Sequence, residues 1–146
     1  MTSISHALIG AALANRIADP ATCAVVAVLT HFACDAIPHW DLGTNWRLRP
    51  KAVTGILAIT ETCVALAGTY LLFFRLIPNT LLFIAIIASL IPDWIEAPYH
   101  IMTPRAPKLF YYFYKIQSLI HSRAQAPLGI WTQLITVAAF LLWGFK

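Results

Sequence analysis

Pro20-Ala21-Thr22-Cys23-Ala24-Val25-Val26-Ala27-Val28-Leu29-Thr30-His31-Phe32-Ala33-Cys34-Asp35-Ala36-Ile37 is an apolar run without a basic residue, and its single histidine and single carboxylate lie four apart near its end. On a helix that spacing puts His31 and Asp35 on one face, where they can grip one ion or hydrogen-bond each other. An ionisable group inside a membrane span costs roughly 2.5 to 3.5 kcal/mol on insertion scales, so such groups face a bundle interior and serve ions, protons or substrates. The run approaches the about 20 apolar residues that a span requires. It reads as a membrane helix with a polar site at one end.

The same pattern recurs outward along the chain. Further apolar segments run from about Ser5 to Ala18, Ala52 to Phe74, Pro78 to Ala97 and Pro127 to Phe145. Pro20, Pro78 and Pro127 stand at helix starts, where a missing N–H costs nothing. Pro38 and Pro98 follow expected helix ends. The first segment is marginal for a span and can pack against its neighbour through Gly10, Ala11 and Ala14. The fold expected is therefore an all-α, polytopic membrane bundle with four or five transmembrane helices, forming a single integral-membrane domain over residues 1–146. Lys108 to Ile120, rich in aromatic residues, reads as a short helix at headgroup level.

Composition agrees with this reading. The chain has 146 residues, of which 60% are hydrophobic and 11% charged, whereas about a quarter of an average soluble domain is charged. Its mean hydropathy is +0.73. Met1 to His6 carries no basic cluster ahead of an apolar core, so the apolar segments are expected to remain in the mature protein. Cys23, Cys34 and Cys63 show no paired short spacing, which argues against a disulfide framework or zinc ribbon. The net charge of +4 is modest and dispersed, so no nucleic-acid partner is expected.

If all five segments cross, one side carries Arg47, Arg49, Lys51, Arg105, Lys108, Lys115 and Arg123, and the other Arg16, Arg75 and Lys146. The positive-inside rule places the first side, with the N-terminus, in the cytoplasm. His6, His31, Asp35, Asp93, Glu96 and His121 then share that side. Glu61 lies ten residues into its segment, roughly mid-membrane at about 1.5 Å per residue, where it would floor a cavity. A short internal repeat fits this picture, because Ile37-Pro38-His39-Trp40 and Ile91-Pro92-Asp93-Trp94 close the second and fourth segments.

His39 and Asp41 extend the His31–Asp35 pair, and metal binding competes with a carboxylate–histidine pair that merely joins helices. Asp93 and Glu96 share a helical face three apart, with His100 beyond Pro98. Glu61, with no charged neighbour, is a general base or ligand, or else a polar helix contact. His121 beside Arg123 suits metal ligation with capture of an anion. His6 gains weight from its depth.

Ser5-His6-Ala7-Leu8-Ile9-Gly10, the stretch Thr30-His31 through Trp40-Asp41, Leu90-Ile91-Pro92-Asp93 and His121-Ser122-Arg123 together resemble a family of small bacterial inner-membrane proteins described as predicted membrane-bound metal-dependent hydrolases. In that family the proline-aspartate element is commonly followed by another aspartate and a histidine, where this chain has Trp94, Ile95 and Glu96. The histidine-arginine element usually carries a second histidine, where Gln125 and Ala126 stand here.

The expected site has His6, His31, Asp35, His39, Asp41, Asp93 and His121 as metal ligands, Glu61 and Glu96 as catalytic carboxylates, and Arg105 and Arg123 on the substrate. Mixed imidazole and carboxylate ligands suit one or two divalent ions, zinc or manganese. The activity expected is hydrolysis of an ester or phosphoester of an amphiphilic, anionic, lipid-like substrate at the cytoplasmic face of the inner membrane. The alternative is a proton- or metal-ion-coupled carrier using the same residues.

Overall fold

The computed structural model describes residues 1–146 as six α-helices with no sheet. These are α1 (Ser3–Ala14), α2 (Pro20–Asp35), α3 (Lys51–Phe73), α4 (Asn79–Met102), α5 (Lys108–Ile120) and α6 (Leu128–Gly144), with a 3-10 turn at Trp46–Leu48 between α2 and α3. Proline marks most of the starts. Pro20 opens α2 directly after Asp19, whose side chain accepts from Thr22 N at 2.7 Å. Pro50, Pro78, Pro107 and Pro127 immediately precede α3, α4, α5 and α6. At these positions the absent N–H would have had no helical partner.

α1 is the axis of the bundle. It touches α2, α3, α4 and α6, and ten of its residues, Ser3 through Ala14 apart from Ile4 and Leu8, are buried. Small residues permit that position. A Cβ added at Gly10 would lie 2.9 Å from Ala85 O and 3.0 Å from Ser89 Oγ, so only glycine lets α1 come this close to α4. α6 runs parallel to α1. Thr2 N donates to Gln133 Oε1 at 2.9 Å near one end, and Asn15 Nδ2 donates to Gly144 O at 2.9 Å near the other.

Only α3 and α4 are long and apolar enough to cross a membrane, with 23 and 24 residues, which corrects the count of four or five. The reason is that loops consume the ends of the remaining apolar runs. α1, α2 and α6 have 12, 16 and 17 residues, and at about 1.5 Å per residue none reaches about 30 Å. α3 is peripheral, with only 11% of its apolar stretch buried against 50% for α4. Ile56, Ile59, Leu71 and Leu72 on α3 are each more than half exposed.

A second correction concerns Pro98. α4 continues through both Pro92 and Pro98 to Met102. Each proline removes one ladder hydrogen bond, yet packing of α4 on α1, α2, α3 and α5 holds the helix together. Glu96 and His100 therefore share one helical face, four residues apart, instead of being separated by a break. α5 has the limits the sequence suggests. It leaves Leu109, Tyr112, Ile116 and Leu119 exposed and buries only Gln117.

The close approach at Gly10 sets a test. Gly10→Ala is expected to separate α1 from α4 and to lower stability by about 1–3 kcal/mol, the usual cost of overpacking. A lowered thermal midpoint of the purified protein would show it.

Candidate metal centre

Six ionisable side chains that are far apart in sequence meet at one end of the bundle. His6 comes from α1, His31 and Asp35 from α2, His39 from the loop after α2, Asp93 from α4, and His121 from the residue that ends α5. They form two trios, His6–His31–Asp93 and Asp35–His39–His121, and within each trio the potential ligand atoms all lie within 4.8 Å of one another. Either trio could hold a metal ion.

Asp35 joins the trios. Its Oδ1 is 3.1 Å from His6 Nε2 and 3.6 Å from His39 Nε2, while Oδ2 is 3.4 Å from His31 Nε2 and 3.6 Å from His121 Nδ1. Each oxygen thus faces one histidine of either group. The Met1 amino group also bonds Oδ1. Oδ2 is fully buried and makes no hydrogen bond, and leaving such an acceptor unpaired costs about 1–3 kcal/mol or more when it is charged. A cation between the imidazoles would satisfy it.

Ring orientation favours the same chemistry. His31 Nδ1 donates to Ser89 O at 2.8 Å, and His39 Nδ1 donates to Ile37 O at 2.7 Å. Because a carbonyl only accepts, these contacts place the proton on Nδ1 and leave each Nε2 lone pair facing the cluster, as backbone carbonyls behind metal-binding histidines do. His39 Nε2 and His121 Nε2 are 2.9 Å apart. Two ring nitrogens this close need a proton or a cation between them. The His6 and His31 rings stack with centroids 3.8 Å apart.

Asp41 supports the second trio, with Oδ2 2.8 Å from His121 Nε2 and 3.5 Å from His39 Nε2. Burial alone would push its carboxyl up, but the close contacts with the His121 and His39 rings outweigh that effect and hold it well below the usual carboxylate range. It is an anion.

The loops that carry His39 and His121 are stapled by backbone. His39 and Arg123 form a parallel β-bridge, with His39 N donating to Ser122 O at 3.1 Å and Ala124 N to His39 O at 2.8 Å. Ser122 N donates to Asp35 O at 2.8 Å, and Trp40 N to Gly129 O at 3.1 Å. A Cβ at Gly129 would fall 2.5 Å from Ala124 O and 2.6 Å from Trp40 N. That position admits only glycine.

A cavity of ≈ 120 Å³ opens beside the cluster, and Asp41, Asp93, His121, Arg123, Glu61 and Glu96 all line it. Glu61 Oε1 accepts from Ser3 N at 2.7 Å, so this carboxylate meets the N-terminus of α1 instead of a partner on its own helix. Glu96 pairs with His100 through Nε2. Arg123 Nε is 3.7 Å from Asp41 Oδ2. Arg105 is exposed in the turn after α4 and does not line the cavity, because the unbroken α4 carries it past the cluster.

Sequence reasoning missed Gln117, whose Nε2 donates to Asp93 Oδ1 at 3.3 Å and lies 3.5 Å from His31 Nε2. Its only signal was an amide amid aromatic, apolar and basic neighbours on α5. It also missed Trp46 and Trp94, both of which line the cavity. No family model, curated protein or solved structure matches the chain.

Gly129→Ala should displace residues 121–124 from His39 and pull the second trio apart while sparing the first. Equilibrium dialysis against zinc is expected to show loss of one binding step in this variant, with the other unchanged.

Proposed function

We propose that the chain is a membrane-embedded, metal-dependent hydrolase that cleaves an ester or phosphoester of an amphiphilic, anionic, lipid-like substrate at the cytoplasmic interface. The observation that carries this reading is Asp35, whose two oxygens each face a histidine from both trios at 3.1–3.6 Å. A carboxylate shared in this way suits a pair of cations, His6, His31 and Asp93 holding one and His39, His121 and Asp41 the other. Imidazole with carboxylate favours zinc or manganese. Such ions, when bound, lower the pKa of water and polarise an ester or phosphoryl oxygen.

The protein's own side chains supply the remaining functions. Glu61, across the cavity and hydrogen-bonded to Ser3 N, is positioned to accept the proton of the attacking water. Arg123 can bind an anionic oxygen, its guanidinium oriented by Asp41. Leu57, Ala58 and Ile101 provide an apolar wall for an acyl segment. Gln117 holds Asp93 in place from α5.

Placement in a bilayer rests on α3, whose apolar face is too exposed for the core helix of a soluble protein. A lipid environment satisfies that face and accounts for the aromatic and basic character of α5. With the basic loops inside, the cluster and the N-terminus lie at the cytoplasmic surface of a bacterial inner membrane. The likeness of the histidine and aspartate motifs to predicted membrane-bound metal-dependent hydrolases supports the same assignment. A carrier would need a polar route through the other half of the bundle, and beyond Glu61 and Asp93 toward the far ends of α3 and α4 there is no aspartate, glutamate, histidine, lysine or arginine.

Elemental analysis of the detergent-purified protein is expected to give two zinc or manganese ions per chain, one in either His31→Ala or His121→Ala, and fewer than two in Asp35→Ala. Absence of metal after reconstitution with added cations would refute the proposal. Glu61→Gln should retain both ions yet lose about 10²–10⁴-fold in turnover of a fluorogenic lipid phosphoester, the contribution of a general base.

A further inference from the structure

α5 has three sides, and only one of them meets the bundle. Tyr114 and Gln117 turn inward, with His121 one turn beyond. Tyr114 stacks on Tyr99 with centroids 4.3 Å apart and accepts from Arg47 Nη2 at 2.7 Å, while Gln117 is the one buried residue of the helix. Leu109, Tyr112, Phe113, Ile116, Leu119 and Ile120 recur at the spacing of one helical face and form an apolar stripe on another side. All six are exposed, Leu109, Tyr112, Ile116 and Leu119 by more than half. Lys108 and Lys115, also exposed and seven apart, edge that stripe on the side away from the bundle.

The helix packs chiefly on α4. Isolated helices of about 12–15 residues are marginal in water, so a helix of 13 residues with one buried side chain depends on whatever covers its apolar face. Charge identifies that cover. From Ala97 to Lys146 the chain has no aspartate or glutamate, so the exposed Arg105, Lys108 and Lys115 meet no carboxylate from their own segment. Lys108 moreover stands at the first position of α5, where a cation opposes the helix dipole. Self-association through α5 would set one basic helix against another, and like charges brought together cost affinity. An apolar stripe edged by lysines matches instead the boundary of an anionic bilayer, with the stripe at the level of the acyl chains and the ammonium groups among phosphates.

Gln117 makes that surface matter to the metal centre. Its Nε2 supplies the one hydrogen bond to the Asp93 carboxylate, at 3.3 Å, and lies 3.5 Å from His31 Nε2, so α5 touches two of the three residues of the first trio. His121 of the second trio caps the same helix, its N donating to Gln117 O at 2.9 Å. We infer that the outer face of α5 is a docking surface for anionic phospholipid headgroups, and that seating the helix there holds Gln117 against Asp93 and so tightens metal binding at the first trio. Lipid and metal then favour each other by the same factor. The lipid surface stands without the proposed function, whereas its link to metal rests on the metal centre of that reading.

Nanodiscs of phosphatidylcholine, alone or mixed with phosphatidylglycerol, separate the two parts. Hydrogen–deuterium exchange over residues 108–120 measures seating of α5, and equilibrium dialysis against buffered zinc measures the metal. Slower exchange in α5 and about tenfold tighter binding of one zinc are expected in the anionic discs, a factor within the usual range of coupling between sites. The double variant Lys108→Gln/Lys115→Gln, which alters only exposed side chains, should remove both differences. Gln117→Leu, of similar size, should keep the slower exchange and remove the zinc difference. An anionic surface also concentrates zinc by itself, so a zinc difference that survives in Gln117→Leu would belong to that concentration and overturn the coupling. Exchange indifferent to lipid charge would overturn the docking surface and the inference with it. Lipid-dependent exchange in a protein that binds no zinc would keep the surface and remove the metal centre, whereas zinc bound equally in both discs would keep the centre and overturn the coupling.

Discussion

A carboxylate that is 1% exposed at the end of an apolar helix must be compensated from every direction, and Asp35 is compensated by histidines from four separate segments. Removing a charge from water costs several kcal/mol even after relaxation, which only close, well-oriented partners can offset. α1 must enter the centre of the bundle to deliver His6, and the loop after α2 must fold back to deliver His39. The segment after α5 must return to deliver His121.

Backbone constraints follow from that convergence. α1 reaches the centre because Gly10 lets it lie against the α4 backbone at Ala85. One turn further along α4, Ser89 O anchors His31, close to the proline at position 92 that interrupts the helical ladder. On the opposite side Gly129 admits the chain at Trp40, and the short parallel bridge fixes His39 against Arg123. Each device permits a close approach of main chains, so the imidazoles are positioned by backbone and depend little on flexible side-chain packing.

Around this polar centre the bundle is inverted relative to a soluble domain. The long apolar helix α3 is peripheral and exposes Ile56, Ile59, Leu71 and Leu72. The shortest helix, α1, fills the middle with alanine, glycine and serine. That arrangement is economical where the surroundings are themselves apolar, since burial of large aliphatic side chains then brings no hydrophobic gain and close contact between small residues drives packing. The cavity opens between α3 and α4 at the end where the loops carry arginine and lysine.

Sequence alone determined the helical class, most helix starts, the limits of α5 and the seven residues His6, His31, Asp35, His39, Asp41, Asp93 and His121 that meet at one end. Those features are local. Proline placement, apolar run length and the four-residue spacing of His31 and Asp35 act within a single segment, and a charge in an apolar run is conspicuous wherever the run packs. The tertiary structure alone decided that α4 passes through Pro98, that α1 is short and central, that Arg105 lies outside the cavity, and that Gln117 and two tryptophans face inward. It also decided that Asp35 stands between two trios. These outcomes depend on contacts between segments distant in the chain, where packing can override a helix-breaking residue and where a side chain's partner is set by which backbone can approach it.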